Sequence, residues 1–454
     1  MTPTRILVVG GGGREHALAW KLAGEPGVNT IHVAPGSAAI ALEPRVQTHP
    51  EVAALDVRGL VRLARQLAIE LAVIGPEAPL AAGVADALRT AGIPTFGPSA
   101  AAARIEASKA FCRDVAAAAE VPMAEGRAFS DPAPAVAYAR ELAARMDGTA
   151  GVVVKADGLA AGKGVTVCEG AAEAEAVLAA IFEVGAEQAS SSVRVVVEER
   201  LVGPEASLIA LCDGRGALGL PPARDHKRLL DDDEGPNTGG MGAYSPLPDL
   251  STERTTVLLD TVHRRILGEL ERRGARFVGA LYAGMILTAD GPRLLECNAR
   301  FGDPETQVIL PRLGLALAPL LLAAARGELD RTVAGLGLMD PIVPTVDRAA
   351  VGIVLAAAGY PAAPRRDDAI VGLDTIGADA LVFHSGSALA SDGRFVTAGG
   401  RVLTIVGRGV DLADARARAE AAADRISFAG LQRRKDIAAN LPGASPVTTL
   451  AAIG

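Results

Sequence analysis

The sequence is poor in aromatic residues and in cysteine, and it carries no excess of positive charge. Aromatic side chains make up 3% of its 454 residues, so the core must be built from Ala, Val, Leu and Ile. Half of the residues are hydrophobic, which is typical of a globular chain rather than a disordered one. The formal net charge of −8 disfavours a nucleic-acid or anionic-membrane surface, so we expect small-molecule partners.

No pattern indicates a zinc site, a dense disulfide framework or a segment that enters a membrane. The four cysteines lie far apart and form no C-x-x-C pair, which fits a reducing cytoplasm. The sequence starts without a signal-peptide pattern. Its most hydrophobic later stretch, residues 313–325, contains Pro319 and stops at Arg326. A membrane span needs about 20 apolar residues. We therefore predict a cytoplasmic protein, with roughly three domains for this length.

Residues 1–103 are predicted to form a parallel α/β domain, because apolar runs such as RILVVG alternate with amphipathic segments. Ligands of such a sheet lie at the carboxyl ends of its strands. The first end, GGGGREH at 10–16, fails the G-x-G-x-x-G pattern in every register, which disfavours a dinucleotide. It could bind a phosphomonoester at a helix N-terminus or be only a tight turn. Two further ends, 75–79 and 96–98, could line the same crevice.

From about residue 104 we expect one long Ala-rich helix that carries SKAF (108–111), followed by a small module at about 124–192. Two strands of this module flank KADGLAAGKG, which is not a Walker A loop because its glycine spacing is too short and Lys163 precedes Gly rather than Ser or Thr. We interpret it as a flap that carries Lys155 and Lys163 over phosphates. A surface hairpin without a ligand is the alternative.

Two polar stretches follow the module. A strand at 193–199 ends in Glu198 and Glu199, which form either a solvated edge or a place where an adenine and a ribose bind. Residues 221–246 are too polar and too rich in Gly and Pro for regular structure, and a loop of this length is usually functional or disordered. We interpret the acidic run 231–234 as a solvated turn.

The stretch LLECNARFGDPETQ, residues 294–307, carries the strongest single chemical signal. If 294–298 is a strand, Glu296 and Asn298 share one face. Mg²⁺ takes one or two protein oxygens and completes its shell with phosphate and water, so this pair suits a metal held against a nucleotide. Arg300 could then fork onto a phosphate or carboxylate. Alone, the motif is more typical of a strand edge with a surface Glu and a capping Asn, and it is the rest of the chain that favours a metal site. Any third metal ligand is unassigned.

The C-terminal part contains a predicted linker at about 328–346 and a small α+β domain with one helix at 412–427. After Asn440 we expect a loosely ordered tail. The predicted division of the chain is 1–103, 104–330, 331–440 and 441–454.

The ordered motifs GGREHALAW, VIGPEAPL, FGP, SKAF, VKADGLAAGKGV, EGPNTGGMGAYSP, ECNARFGDPETQ and RRKDI closely resemble the phosphoribosylamine–glycine ligase (glycinamide ribonucleotide synthetase) family of the ATP-grasp superfamily. The resemblance implies an α/β and α+β multidomain fold: an N-terminal parallel α/β (pre-ATP-grasp) domain, an ATP-grasp domain with an inserted lid subdomain, and a C-terminal α+β domain. It also implies a ligase of de novo purine biosynthesis that joins glycine to 5-phosphoribosylamine through glycyl phosphate, using ATP and Mg²⁺ or Mn²⁺. Alternatives are an ATP-grasp ligase for another acid and amine, and a non-catalytic nucleotide-binding protein.

The resemblance assigns roles to residues by position in this sequence. The residues implied in catalysis are Arg300, Lys227 and Asp225. Those implied in ATP binding are Lys109, Lys155, Gly162, Lys163, Gly164, Glu198, Glu199, Leu201 and Glu205. Those implied in binding glycine and the phosphoribosyl group are Gly12, Gly13, Arg14, Glu15, Asn237, Thr238, Gly239, Gly302 and Asp303. The implied metal ligands are Glu296 and Asn298, and we expect a monomer that works alone or in transient contact with neighbouring pathway enzymes.

Overall fold

The structure is a computed structural model that describes residues 1–145, 151–158, 164–187, 193–338, 340–378 and 380–441. It contains a parallel sheet near the N-terminus and antiparallel sheets in the rest of the described chain. In the described part of the chain, no helix combines the length and the apolar character that a bilayer crossing requires.

The N-terminal domain is the predicted parallel α/β unit, with strand order β3-β2-β1-β4-β5. Its elements are β1 (Arg5–Gly10), α1 (Gly13–Ala23), β2 (Thr30–Pro35), β3 (Val46–Thr48), α2 (Val57–Gln66), β4 (Leu71–Ile74), α3 (Glu77–Ala81), α4 (Val84–Thr90) and β5 (Thr95–Phe96). Residues 6–9 of β1 are fully buried and divide between two core clusters. Burial of both faces explains why this strand is an unbroken apolar run in the sequence.

The predicted long helix around SKAF is wrong, because the chain breaks at Ser108. It forms α5 (Ala100–Ala107) and α6 (Lys109–Ala118), with Ser108 in an extended conformation between them. The Ser108 hydroxyl accepts the Phe111 N–H at 3.1 Å and donates to the Asp157 carboxylate at 2.9 Å. A serine that caps a helix in this way favours a new helix start over continuation of the old one. The break makes Lys109 the first residue of α6.

The small module is an antiparallel sheet of order β6-β9-β7-β8 covered by two helices, and we call it the lid. Its elements are β6 (Gly126–Phe129), α7 (Pro132–Arg145), β7 (Val152–Ala156), β8 (Val165–Cys168), α8 (Ala171–Glu187) and β9 (Val195–Glu199). Valines of β7 and β9 pack against Leu142 and Leu178 of the helices. The antiparallel pairing of β7 with β8 confirms the predicted flap hairpin, whose tip, including Gly162 and Lys163, lies outside the described residues.

The centre of the chain forms a second antiparallel sheet of order β11-β10-β16-β17. The elements from here to the C-terminal domain are β10 (Glu205–Asp213), β11 (Ala217–Gly219), β12 (Arg224–Asp225), β13 (Arg228–Leu230), β14 (Glu234–Asn237), β15 (Gly242–Ser245), α9 (Thr252–Leu258), α10 (Arg265–Arg272), β16 (Val278–Thr288), β17 (Gly291–Asn298), α11 (Glu305–Ile309), α12 (Leu317–Arg326) and α13 (Leu329–Gly335). Gly284 pairs with Glu296 and Met285 with Leu294, so Leu295 is the extra residue of a bulge. Bulges of this kind often lie beside functional sites.

Residues 221–246 are more regular than predicted. They form four short strands, of which β12 pairs with β15 and β13 pairs with β14. These pairings give part of the segment's backbone hydrogen-bond partners within the segment itself. The acidic run is also more than a solvated turn, because Asp233 pairs with the buried Arg434 at 2.6 Å and Asp231 accepts the Lys435 N–H at 2.7 Å.

The C-terminal domain shares its sheet with the preceding segment, in the order β12-β15-β18-β22-β19. Its own elements are β18 (Ala349–Ala356), β19 (Ala380–His384), β20 (Ser387–Leu389), β21 (Phe395–Thr397), β22 (Arg401–Gly409) and α14 (Leu412–Ala423). The predicted linker contains α13, and its Val343 N–H donates to Gly219 O at 2.8 Å. The predicted tail lies almost wholly beyond the last described residue, 441.

Candidate active site

A cavity of about 340 Å³ lies where the N-terminal domain, the lid and the β16–β17 hairpin meet. Most of the residues predicted for the site line it: Arg14, Lys109, Lys155, Gly164, Glu198, Asp225, Lys227, Asn237, Thr238, Gly239, Glu296, Asn298, Arg300 and Asp303. The strand ends at 10–16 and 75–79 both reach the cavity, through Arg14 and Glu77. The third end turns elsewhere, because Pro98 packs against the backbone of Gly279.

Glu296 and Asn298 lie on one face of β17, as predicted, and both face the cavity. The Asn298 amide donates to the Glu296 carboxylate at 3.4 Å. Burial raises the pKa of Glu296, but Lys227, Lys155 and Arg300 lower it by more, so it lies below its ordinary value. Glu296 is therefore an anionic oxygen donor at neutral pH.

This donor set fits a hard divalent cation that is shared with a phosphate. Among the described residues, no cluster of three or more His, Cys, Asp or Glu side chains could enclose a metal by itself. A carboxylate and an amide oxygen are the kind of partial set that Mg²⁺ accepts when phosphate and water supply the remaining ligands.

Arg300 follows β17 and is held by two carboxylates that the motif did not reveal. Its guanidinium lies 3.0 Å from Glu106 on α5 and 3.5 Å from Glu77 on α3. Burial lowers the pKa of Arg300, but Glu106 and Glu77, together with Glu305 and Glu296, raise it by more, so the net shift is upward. Burial raises the pKa of Glu106, and Arg300 only partly offsets this. Arg300 is thus a permanent cation whose orientation is set by carboxylates on two separate helices, α3 and α5.

Lys227 and Asp225 belong to a second cluster of charged side chains in the same cavity. The Lys227 ammonium lies 3.0 Å from Glu205 and 3.8 Å from Glu296. Burial lowers the pKa of Lys227, but Glu205, Asp225 and Glu296 raise it well above its ordinary value. Burial raises the pKa of Asp225 to about 8, with Lys227 opposing the shift. The cavity therefore contains a protonated carboxyl next to a fixed cation. Glu205, predicted to contact ribose, is engaged here with Lys227.

On the lid side, Glu198 organises three elements. It pairs with Lys155 and accepts from the Arg113 guanidinium of α6 at 2.9 Å. Lys155 also donates to the carbonyl of the bulged Leu295 at 3.0 Å. Lys109 donates to Gly158 O at 2.9 Å, and burial lowers its pKa. These contacts bring both lysines to the cavity that faces Glu296.

Three of the described residues predicted to bind ATP do not line the cavity: Glu199, Leu201 and Glu205, of which Glu205 pairs with Lys227. Glu199 accepts the Glu125 N–H at 2.7 Å.

The first glycine loop lines the cavity with the side chain of Arg14 rather than with unpaired backbone N–H groups. Glu15 accepts the Gly12 N–H at 2.8 Å and pairs with Arg14 at 2.6 Å. Gly13 faces the C-terminal domain, since a Cβ there would lie 2.3 Å from Ser385 Oγ. Gly302 packs against Glu305, since a Cβ on Gly302 would lie 2.5 Å from Glu305 Oε2. Of the residues predicted in these two turns, only Arg14 and Asp303 line the cavity.

The loop 237–240 is held by two side chains of the C-terminal domain that sequence reasoning missed. Arg401 donates to Gly239 O at 2.6 Å and to Asp303 O at 2.8 Å, and it lies 3.3 Å from the Asp303 carboxylate. The Gly239 N–H donates to the Tyr360 hydroxyl at 2.9 Å. Burial raises the pKa of Asp303, but Arg401 and Arg14 bring it below its ordinary value.

An antiparallel lid that faces a second antiparallel sheet across a lysine-rich cavity, with an E-x-N pair at its base, defines an ATP-grasp protein. Comparison with family models agrees. Three models of phosphoribosylglycinamide synthetase match the chain: the N domain over residues 4–106, the ATP-grasp (A) domain over 107–306 and the C domain over 350–440. The chain belongs to the phosphoribosylglycinamide synthetase family.

Curated relatives match over nearly the full length. The chain is 48% identical over 444 residues to the phosphoribosylamine–glycine ligase of Streptomyces coelicolor, covering 97% of this chain and 100% of that protein. It is 43% identical over 443 residues to the enzyme of the same name from Escherichia coli, covering 95% and 97%.

Among solved structures, phosphoribosylamine–glycine ligase of Thermotoga maritima matches with a TM-score of 0.75 and 31% identity, covering 95% of this chain and 100% of that one. The biotin carboxylase domain of Hydrogenobacter thermophilus 2-oxoglutarate carboxylase matches with a TM-score of 0.69 at 17% identity, covering 95% and 92%, which is a likeness of fold alone.

Proposed function

We propose that this protein joins glycine to 5-phosphoribosylamine with the consumption of ATP, giving glycinamide ribonucleotide, ADP and phosphate in de novo purine biosynthesis. The observation that carries the proposal is the convergence of Glu296, Asn298, Arg300 and Lys227 on one cavity in a chain of this family. The name shared by its full-length relatives supports the same pair of substrates.

The reaction has two steps. A glycine carboxylate oxygen attacks the γ-phosphorus of ATP, and the bond to the bridging oxygen breaks, giving glycyl phosphate and ADP. The amine of phosphoribosylamine then attacks the glycyl carbonyl carbon, phosphate leaves, and the new amide forms after the amine loses a proton. Glu296 and Asn298 would hold Mg²⁺ or Mn²⁺, which neutralises phosphate charge when bound.

The chain's own cations make the first step feasible. Bringing two negative charges to about 4 Å costs roughly 4 kcal/mol at an effective dielectric near 20. Arg300, Lys227 and Lys155 line the same cavity and offset this repulsion between carboxylate and phosphate. Because Glu106 and Glu77 hold Arg300 in place, little reorganisation is needed as charge develops.

Asp225 is suited to the second step. Its pKa of about 8 is near neutral pH, the range in which a carboxylate can take up the proton released by the amine. The fixed positive charge of Lys227 beside it stabilises the ionised form that must arise first. The loop 237–239, with Arg14 and Asp303, would hold the non-nucleotide substrates. We also propose that the enzyme works in the cytoplasm as a monomer.

The proposal is tested by measuring ADP release from the purified protein with Mg-ATP while glycine or freshly made phosphoribosylamine is omitted in turn. Release that requires both, with the amide product identified by mass spectrometry, is the expected result. Release with another acid and amine, but not with this pair, would overturn the substrate assignment and leave an ATP-grasp ligase of different specificity.

A further inference from the structure

A second cavity, of about 390 Å³, lies between residues 221–222, the start of α9 and the connector that precedes β18. It shares no lining residue with the active-site cavity. Its walls are mainly apolar and include Pro221, Leu250, Ile342 and Val343. A concave, largely apolar site with a few polar groups is the usual form of a small-molecule site.

The main polar group of this cavity is Arg312, which is buried to 6% exposure. Its Nε donates to the Arg348 carbonyl at 2.8 Å, and its Nη1 donates to the Ser245 hydroxyl. Its Nη2 makes no hydrogen bond to any described residue, and no described carboxylate lies within ion-pair distance. Asp340, which also lines the cavity, is exposed to solvent. Burial alone lowers the pKa of Arg312 to about 10.

The other arginines buried to this degree in the described chain each pair with a carboxylate. Arg14 lies 2.6 Å from Glu15, Arg224 lies 2.7 Å from Asp249, and Arg434 lies 2.6 Å from Asp233. Taking a charge out of water costs several kcal/mol unless a counter-charge and hydrogen bonds offset it. Arg312 has the hydrogen bonds but lacks the counter-charge, and a cavity is open beside it.

We propose that this cavity binds a small organic monoanion, a carboxylate with an apolar body, with Arg312 as its counter-ion. One cation with a free Nη2 matches a single negative charge, whereas a phosphate dianion would find no second cation in the wall. The apolar residues match the body of the ligand. The proposal is independent of the reaction proposed above.

The site adjoins the sheet that carries Asp225. Ser245 Oγ accepts from Arg312 and donates to Pro222 O at 2.7 Å, and its strand β15 pairs with β12. A bound carboxylate would therefore rest against the strands that position Asp225.

The test is calorimetric titration of the full-length protein with 4-methylpentanoate, using its neutral amide, 4-methylpentanamide, and inorganic phosphate as comparison probes. We expect saturable binding of the carboxylate only. Arg312→Gln should weaken it by about tenfold or more, the usual value of a hydrogen bond to a charged group. Since Arg312 also anchors Ser245, a second variant is needed that leaves the arginine in place.

Thr252→Trp serves this purpose, because Thr252 is exposed at the start of α9 and lines the cavity. The new side chain should fill the cavity and abolish binding, while Glu253→Trp, at an exposed neighbour that does not line it, should bind as the parent does. Equal binding of the amide, preference for phosphate, unchanged binding in Thr252→Trp or no saturable binding would each overturn the proposal. Turnover is measured on the same variants. Because the two cavities share no lining residue, a failure to bind the carboxylate and a failure of the proposed reaction are then distinguished from each other.

Discussion

Two walls of the active-site cavity meet at Asp303, and they are built in different ways. The first wall, residues 296–305, is one continuous stretch whose side chains Glu296, Asn298 and Arg300 face the cavity. The second wall is the loop 237–239 and Arg401. Arg401, and Tyr360 behind the loop, belong to the C-terminal domain, and their bonds go mainly to backbone groups of this loop and of the turn at Asp303. Three of the side chains proposed to contact a ligand thus come from one motif, whereas the two side chains that hold the loops in place come from a distant part of the chain.

The largest effect is expected in the first wall, from Arg300→Ala. It removes the fixed cation that we propose offsets developing phosphate charge, and we expect turnover to fall by about 10²–10³-fold. ATP binding, measured by calorimetry, should persist because the lid lysines are intact. Since Glu77 and Glu106 lose their partner, thermal melting must confirm that the variant is folded, and Arg300→Lys should recover part of the activity. Unchanged turnover in the folded variant would remove Arg300 from the reaction.

Glu296→Gln should be next in size. It keeps the shape of the side chain but removes the anionic oxygen, so the Mg²⁺ concentration for half-maximal ADP release should rise by at least about tenfold. The matched control is Glu199→Gln, at a glutamate of the lid strand β9 that does not line the cavity. Equal Mg²⁺ dependence in both variants would contradict the assignment of Glu296 as a metal ligand.

Arg401→Met tests the second wall. It removes two bonds that hold Gly239 and Asp303, and we expect KM for the non-nucleotide substrates to rise by about tenfold, with KM for ATP unchanged. The control is Arg394→Met, at an exposed arginine of the same domain whose side chain pairs, among the described residues, with Asp392 alone. A uniform fall in kcat without a change in KM would show that Arg401 does not act through these loops.

The last effect is a pH dependence of stability that comes from Asp225 on β12, in the sheet that β12 and β15 share with the C-terminal domain. Because burial raises its pKa to about 8, the folded state binds the proton more tightly than the unfolded state does. Its contribution to stability is therefore complete below the ordinary pKa of about 4 and is lost as the pH rises towards 8. Thermal melting of Asp225→Asn and the parent across this range should show a difference that grows with pH, and a constant difference would contradict the shift.

Sequence predicted the first wall well because its chemistry is local. Period-two alternation was enough to place Glu296 and Asn298 on one face, and the lid hairpin followed from two apolar runs around a glycine loop. It could not predict Arg401, since an arginine at the start of an apolar strand resembles any strand edge until the fold brings it to residue 239. The same limit explains Glu15, whose carboxylate is engaged by its own helix start, and Ser108, whose cap splits a helix of uniformly favourable residues.

The pairing of β15 with β18 bears on how this chain could be divided experimentally. Gly242–Ser245 pair with residues 350–353, although more than a hundred residues lie between them. A fragment that starts just before β18 would expose that edge over residues 350–353, and an uncovered edge strand invites pairing between molecules. We therefore expect residues 340–454 alone to aggregate and to be rescued in part by a synthetic peptide of residues 221–246. The C-terminal domain is a continuous segment of the sequence, but its sheet is complete only when β12 and β15 of the preceding segment are present.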